Sequence, residues 1–280
     1  MSQERERPVQ FEEMFPWELA PALAAAPIGY LPLGTLEWHG EHNAVGLDAL
    51  KAHALCVAAA RQSGGLVLPP FYWATDSWEE LDPEAGTYLT GGVEHGERYH
   101  VPGNMFWLRP ETYANLLLDV YEAMRRRGFQ VIVVVSGHWS SYTLPTIRAS
   151  GERFAAGHPE VRWLFLTDQE VVPDLHYPHE HAAGGETSLL MVIRPELVDL
   201  GRTLETGRSL RPCYASQPEH LRRRAETGYK YIGVLTVSPE GRNDPELTAS
   251  QERGRALFAA IAERIAARAA ALLAELREQG

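Results

Sequence analysis

Three short stretches of the 280-residue chain concentrate histidine and carboxylate side chains. The first is Gly34-Thr35-Leu36-Glu37-Trp38-His39-Gly40-Glu41-His42, with Asp48 nine residues after His39. The second is Ser136-Gly137-His138. The third is His179-Glu180-His181-Ala182-Ala183-Gly184-Gly185-Glu186-Thr187. Glu37 and His39 are two apart, so in extended backbone they point to the same side and can reach one ion. Imidazole with carboxylate suits Zn2+, Mn2+ or Fe2+ rather than the soft metals that select thiolate. Glu37, His39, Asp48, His138 and Glu186 are too many for one catalytic zinc with an open position. They fit two divalent ions that share a carboxylate and a water. No lysine stands within these stretches to neutralise the acids.

Each residue also has an ordinary reading. Asp48 precedes a helical stretch, where an aspartate commonly caps the helix. Glu186 suits the first turn of a helix, where the dipole favours an acid. His158 and His220 read as surface residues, and His53 as a structural residue of an Ala-rich helix. His138 and the Glu37-x-His39 pair resist such readings, because unpaired polar groups at a buried strand end are costly.

The elements that must position these residues alternate between strand and helix. The apolar run Ile28–Leu33 reads as a strand, and 49–61 as a helix closed by Gly64-Gly65. Residues 66–68 form a short strand stopped by Pro69-Pro70. Tyr113, Leu116, Leu117, Val120, Tyr121 and Met124 recur at helical spacing within 110–127. The β-branched run in 130–136 has the composition of a strand buried on both faces. A helix over 143–156, a strand over 162–166 and a helix over 187–193 follow. Residues 231–237 predict a late strand and 248–278 a long closing helix. The stretches 73–109 and 200–230 read as loops that would shape a substrate pocket. Strands alternating with helices predict an α/β fold whose mostly parallel sheet is covered on both faces. The motif-bearing stretches then fall at the carboxyl ends of strands, where open α/β sheets place their sites. No linker or composition shift divides the chain, so 1–280 reads as one domain.

Composition narrows the function. With 45% hydrophobic and 22% charged residues, the chain has the balance of a soluble globular protein. Its 26 basic against 37 acidic residues give a formal charge of −11, which disfavours a nucleic-acid surface. The basic run at 222–224 reads as a solvated helix face. Apolar runs are too short to span a membrane, and the charged start MSQERERPVQ has no apolar signal region. Two cysteines, Cys56 and Cys213, make no disulfide framework, so a reduced cytoplasmic setting is expected. Neither a dinucleotide glycine fingerprint nor a P-loop is present, and Ser136 lacks a nucleophile elbow.

The residues also carry a resemblance. The stretch from Leu33 to His42, with Asp48 downstream, resembles the first signature of the creatininase (creatinine amidohydrolase) family. Ser136-Gly137-His138 resembles its second signature, and His181-Ala182-x-x-Gly185-Glu186-Thr187-Ser188 its third. Gly241-x-Asn243-Asp244-Pro245-x-Leu247-Thr248-Ala249 is similar to the family's closing segment. The matches stand in the family's order and span about residues 30 to 260. The resemblance implies a three-layer α/β/α sandwich, a binuclear metal centre, a homo-oligomer (commonly a hexamer) and hydrolysis of a non-peptide C–N bond in a small cyclic amide or a formamide. Carried over by position, Glu37 and His138 would hold one metal and His39 and Glu186 the other. Asp48 would bridge them, and His181 would move the proton. The expected cofactors are Zn2+ or Mn2+, with Fe2+ compatible.

The chain departs from the family pattern after His138. The usual Gly-Gly-Asn is replaced by Trp139-Ser140-Ser141. Creatininase proper has an aromatic residue and then a Glu ligand here; Trp139 matches the first, and Ser140 stands in place of the second. The second metal would then depend on Glu186. His42, Trp139 and Ser140 are the expected substrate contacts, and Trp73, Trp78 and Trp107 either line the pocket or pack in the core. Two other readings stay open: hydrolysis of a cyclic ketone, lactone or sugar-derived substrate on the same metals, and a binding protein without turnover.

Overall fold

The computed structural model describes residues 8–75, 79–82, 87–90, 93–95, 108–140, 143–175, 177, 181–203, 231–232, 235–236 and 245–279. In chain order the elements are α1 (Pro16–Ala25), β1 (Ile28–Leu33), α2 (Leu47–Ser63), β2 (Leu66–Val67), β3 (Glu79–Asp82), β4 (Thr87–Thr90) and β5 (Val93–His95). Then come α3 (Pro110–Arg126), β6 (Val131–Ser136), α4 (Thr143–Gly157), β7 (Arg162–Thr167), α5 (Gly184–Ile193), β8 (Tyr231–Ile232), β9 (Leu235–Thr236), α6 (Pro245–Thr248) and α7 (Gln251–Gln279).

The central sheet has strand order β2-β1-β6-β7 with every pairing parallel. Its strands are short and almost wholly apolar, as a sheet covered on both faces requires. Alternation divides the side chains between two cores. Ile28, Tyr30, Val131, Val133, Val135, Leu164 and Leu166 face α2, α5 and α7. Leu31, Leu33, Ile132, Val134, Trp163 and Phe165 face α3 and α4, with Leu19 and Leu23 of α1 at the margin. The molecule is therefore an α/β/α sandwich.

Register sets up the site. Leu33 pairs with Ser136, and Ser136 with Thr167. Three strands thus end in one row, and the residues just beyond them are Gly34, Gly137 and Asp168. The chain leaves β1 toward β2 on one side, whereas β6 lies on the other. That reversal of strand order is where doubly wound sheets open a crevice. Glycine lets α2 approach it. A Cβ on Gly34 would lie 2.3 Å from the Ala49 nitrogen, and one on Gly137 would lie 2.2 Å from the Asp48 carbonyl oxygen. The first turn of α2 is thereby seated against both strand ends.

Several expectations are corrected in detail. α2 starts at Leu47, so Asp48 lies inside the first turn and Gly46 occupies the capping position. α5 starts at Gly184, earlier than Thr187, and a Cβ on Gly184 would lie 2.0 Å from Thr248 Oγ1. Gly184 is thus a point of close contact between α5 and α6. The closing helix is broken into α6 and α7. The stretch 73–109 is not loop throughout: β3, β4 and β5 form an antiparallel sheet. The late strand 231–237 is instead the antiparallel pair β8 and β9. α1 has no counterpart among the expected elements; Pro16 opens it, and the Glu18 carboxylate accepts a hydrogen bond from the Phe15 backbone N–H at 2.8 Å. No helix among the described residues is long and apolar enough to cross a membrane. Cys213, His220, most of 200–230 and the Asn243-Asp244 pair lie outside the described residues.

Candidate metal centre

The loop after β1 carries Glu37 and His39, the first turn of α2 carries Asp48, the residue pair after β6 ends in His138, and α5 brings Glu186. All five residues are buried, none more than 3% exposed. Three groups of donor atoms each lie within 4.8 Å of one another: Glu37 with Asp48 and His138, His39 with Asp48 and Glu186, and Glu37 with His39 and His181. Asp48 belongs to two of them. Its Oδ1 lies 3.1 Å from His39 Nε2 and its Oδ2 lies 3.1 Å from His138 Nδ1. Glu37 Oε2 is 3.0 Å from the same His138 nitrogen, and Glu186 Oε2 is 4.0 Å from His39 Nε2.

Backbone carbonyls determine which imidazole nitrogens carry hydrogen. His39 Nδ1 lies 3.0 Å from the Glu37 carbonyl oxygen, which can only accept. Nδ1 therefore carries the proton in the neutral ring, and the lone pair sits on Nε2. That lone pair faces two carboxylates. His138 Nδ1 likewise faces Glu37 and Asp48. Two acceptors aimed at a lone pair repel unless a proton or a metal ion lies between them. Without a metal the proton takes that place. Burial alone would lower the His39 pKa, but Asp48, with Glu186 and Glu37, raises it to about 9. His138 is raised well above the ordinary imidazole value, with Glu37 and Asp48 overcoming burial. The same pairs hold Glu37 and Asp48 below the usual carboxylate range despite burial. A donor set of buried carboxylates and imidazoles, converging in pairs on shared points, fits divalent cations.

His181 stands at the edge, with its side chain 14% exposed. Its Nε2 donates to the Trp38 carbonyl at 2.7 Å. Nδ1 then holds the lone pair, 3.7 Å from Glu37 Oε1, and the ring stacks on His39 with centroids 4.5 Å apart. His42 is buried, and its Nε2 donates to the Ala182 carbonyl at 3.0 Å. It therefore ties the first loop to the third. Ala182 has a left-handed backbone (φ 55°), and its N–H donates to Glu186 Oε2 at 2.7 Å. A strained non-glycine residue held from both sides is a common feature of working sites.

Ser140 is buried, and its Oγ accepts from the Thr143 N–H at 3.2 Å, at the start of α4. It serves as a helix cap there. Trp139 is 41% and Trp73 44% exposed. Trp78 and Trp107 lie outside the described residues.

A lysine reaches the cluster from outside the three stretches. Lys51 is fully buried and its Nζ lies 2.7 Å from Glu186 Oε1 and 2.9 Å from Asp168 Oδ2. Tyr177 donates to Asp168 Oδ2 at 2.6 Å. Lys51, Asp168 and Tyr177 were missed as members of the site. For Lys51 a signal existed: it follows Asp48 by three residues and so shares its helix face. Asp168 follows β7 as Gly34 follows β1.

Comparison with known proteins agrees with this architecture. The sequence model of the creatininase family, described as creatinine amidohydrolase, matches residues 12–269. A creatinine amidohydrolase of Pseudomonas putida is 28% identical over 252 residues, covering 84% of this chain and 86% of the relative. A crystal structure of creatinine amidohydrolase superposes with a TM-score of 0.67 at 23% identity, covering 94% of this chain and 97% of the other. A structure titled "Creatininase Mn" gives 0.65 at 22% identity, covering 93% and 96%. A mutant creatininase of Zn-Zn type gives 0.64 at 23% identity, with the same coverage. The order of the three motifs, the α/β/α sandwich and a family match over most of the chain lead to one conclusion: this protein belongs to the creatininase family.

Proposed function

We propose that the protein is an amidohydrolase that opens the C–N bond of a small cyclic amide or a formamide at a centre of two divalent ions. The family's description as creatinine amidohydrolase, and the relative of that name, support hydrolysis of a non-peptide C–N bond. One observation carries the two-ion reading. Asp48 turns one carboxylate oxygen to His39 and the other to His138, with Glu186 and Glu37 on the respective sides. Glu37, His138 and Asp48 would hold one ion, and His39, Glu186 and Asp48 the other.

Charge is compatible with two ions. Glu37, Asp48, Glu186 and Asp168 are buried with Lys51 as the ammonium among them, so the cluster has an excess of three negative charges. One divalent ion would bring that count to −1 and two would bring it to +1, so the buried charge accommodates a second ion.

When bound, such ions polarise a carbonyl oxygen and bring the pKa of a water near neutrality. The chain's own groups do the rest. His181 is fixed by the Trp38 carbonyl with its Nδ1 lone pair turned inward. It takes the proton that the attacking water gives up and returns it to the departing nitrogen. Burial of the carboxylates and imidazoles excludes bulk water and strengthens each charge interaction. Trp139, half-exposed beside His138, lines the approach for a small planar substrate. A homohexamer in the cytoplasm is the assembly and compartment this reading carries.

The test is a hydrolysis panel of creatinine, simple lactams, formamides and lactones with Zn2+- or Mn2+-loaded protein. C–N cleavage that a chelator abolishes and metal restores is expected. Turnover of lactones alone would move the reading to C–O bonds. Ion uptake with no turnover of any member would favour a binding protein.

A further inference from the structure

Lys51 is buried beneath the centre and three residues from Asp48 on α2. Its ammonium reaches Glu186 Oε1 at 2.7 Å, Asp168 Oδ2 at 2.9 Å and the Tyr177 hydroxyl at 3.1 Å. An ammonium has three donors and no acceptor, so all three are placed. Tyr177 passes its own hydrogen to Asp168. The two oxygens of Glu186 are thereby separated in role. Oε1 turns to Lys51. Oε2 accepts the Ala182 N–H at 2.7 Å and faces His39 and Asp48. Burying an ammonium with two carboxylates is an expensive way to fill space, since apolar residues of similar volume do it as well or better. The Glu37–His138 half has no counterpart: among the described residues the ion-pair partners of Glu37 are His138 and His181.

Resting on the two-ion reading, we propose that Lys51 is a positioning residue that occupies Glu186 Oε1. Glu186 is thereby limited to one ligating oxygen, and the ion beside His39 is held loosely enough to keep a coordination place open. Catalytic metal sites need such a place, whereas structural sites close it. Two effects of removing Lys51 oppose each other. Glu186 loses a partner that orients it, which weakens ion binding. The site also loses a unit positive charge one carboxylate away, and Oε1 is released toward the ion. In a buried site with little screening the second effect dominates.

The experiment titrates metal-free protein with Zn2+ against a chromophoric chelator, for wild type, Lys51→Met and the double variant Lys51→Met/Asp168→Asn. The single variant leaves Asp168 buried without its cation. The double variant removes the pair together and so keeps the net charge of wild type; far-UV circular dichroism checks that each variant is folded. The expected result in Lys51→Met is one ion bound about tenfold or more tighter than in wild type, the other within about threefold; in the double variant, where net charge is unchanged, release of Glu186 Oε1 alone gives a smaller tightening of the same ion. A residue with a merely structural role would lower thermal stability without tightening either ion. Unchanged or weaker binding of both ions in a folded variant overturns the role of Lys51. Wild type that takes up fewer than two ions overturns the two-ion reading itself, whatever the variants do.

Discussion

Around Asp48, the Glu37–His138 half and the His39–Glu186 half use the same donor types in different settings. In the first, both side chains come from the loops that end β1 and β6, and the carboxylate faces imidazoles at 3.0 and 3.7 Å. In the second, the carboxylate comes from the first turn of α5 and is backed by a buried ammonium, a second carboxylate and a phenol. The first half can meet its negative charge only with a proton or a metal ion. The second meets part of it permanently. On the two-ion proposal, this contrast would give the two positions around Asp48 unequal affinity, because what lies behind the ligands differs more than the ligands do.

The comparison can be broken at its shared member. Asp48→Ala removes an oxygen from both halves and leaves His39 and His138 without the carboxylate between them. Metal content should fall below that of wild type and turnover by more than about 100-fold, beyond the range typical of outer-sphere changes. Unchanged stoichiometry by elemental analysis would sink the bridging role. His181→Ala should leave both ions in place and lower kcat by about 10²- to 10⁴-fold, the usual contribution of a general acid or base. Full activity would remove His181 from the proton path, and loss of an ion would make it a ligand.

Smaller effects sharpen the account of how the halves are held together. Gly137→Ala places a Cβ 2.2 Å from the Asp48 carbonyl oxygen, a backbone atom that can yield only if α2 moves. The cost should be about 1–3 kcal/mol, read as a lower Tm, with weaker ion binding because Asp48 moves too. A wild-type Tm would show that the α2–β6 contact is soft. Ser140→Ala should cost about 1 kcal/mol through loss of the α4 cap and leave metal content unchanged. A large change in KM with no change in stability would make Ser140 the substrate contact expected from the sequence.

Much of this architecture could be read from the residues. β1, β6 and β7 followed from continuous apolar runs, and α3 from its spacing of Tyr113, Leu117, Tyr121 and Met124. Glu37, His39, Asp48, His138, His181 and Glu186 stood in short motifs that follow strands or precede helices, and the structure brings them together. The buried network behind Glu186 was not readable in the same way. Lys51 meets Tyr177 and Glu186 across 126 and 135 residues of chain. The spacing from Asp48 places Lys51 on the right helix face, but no local pattern announces which distant residues it meets. β3, β4 and β5 escaped because their residues show no clean alternation, and α5 was started late because its first two residues are glycines.

Metal content per chain tests the central claim most directly. Protein purified without chelator and analysed for transition metals should contain about two divalent ions per chain, or reach two after reconstitution with Zn2+ or Mn2+. A value of one or fewer after reconstitution would contradict the binuclear reading and leave the carboxylate–histidine cluster as a charged network without a catalytic pair of ions.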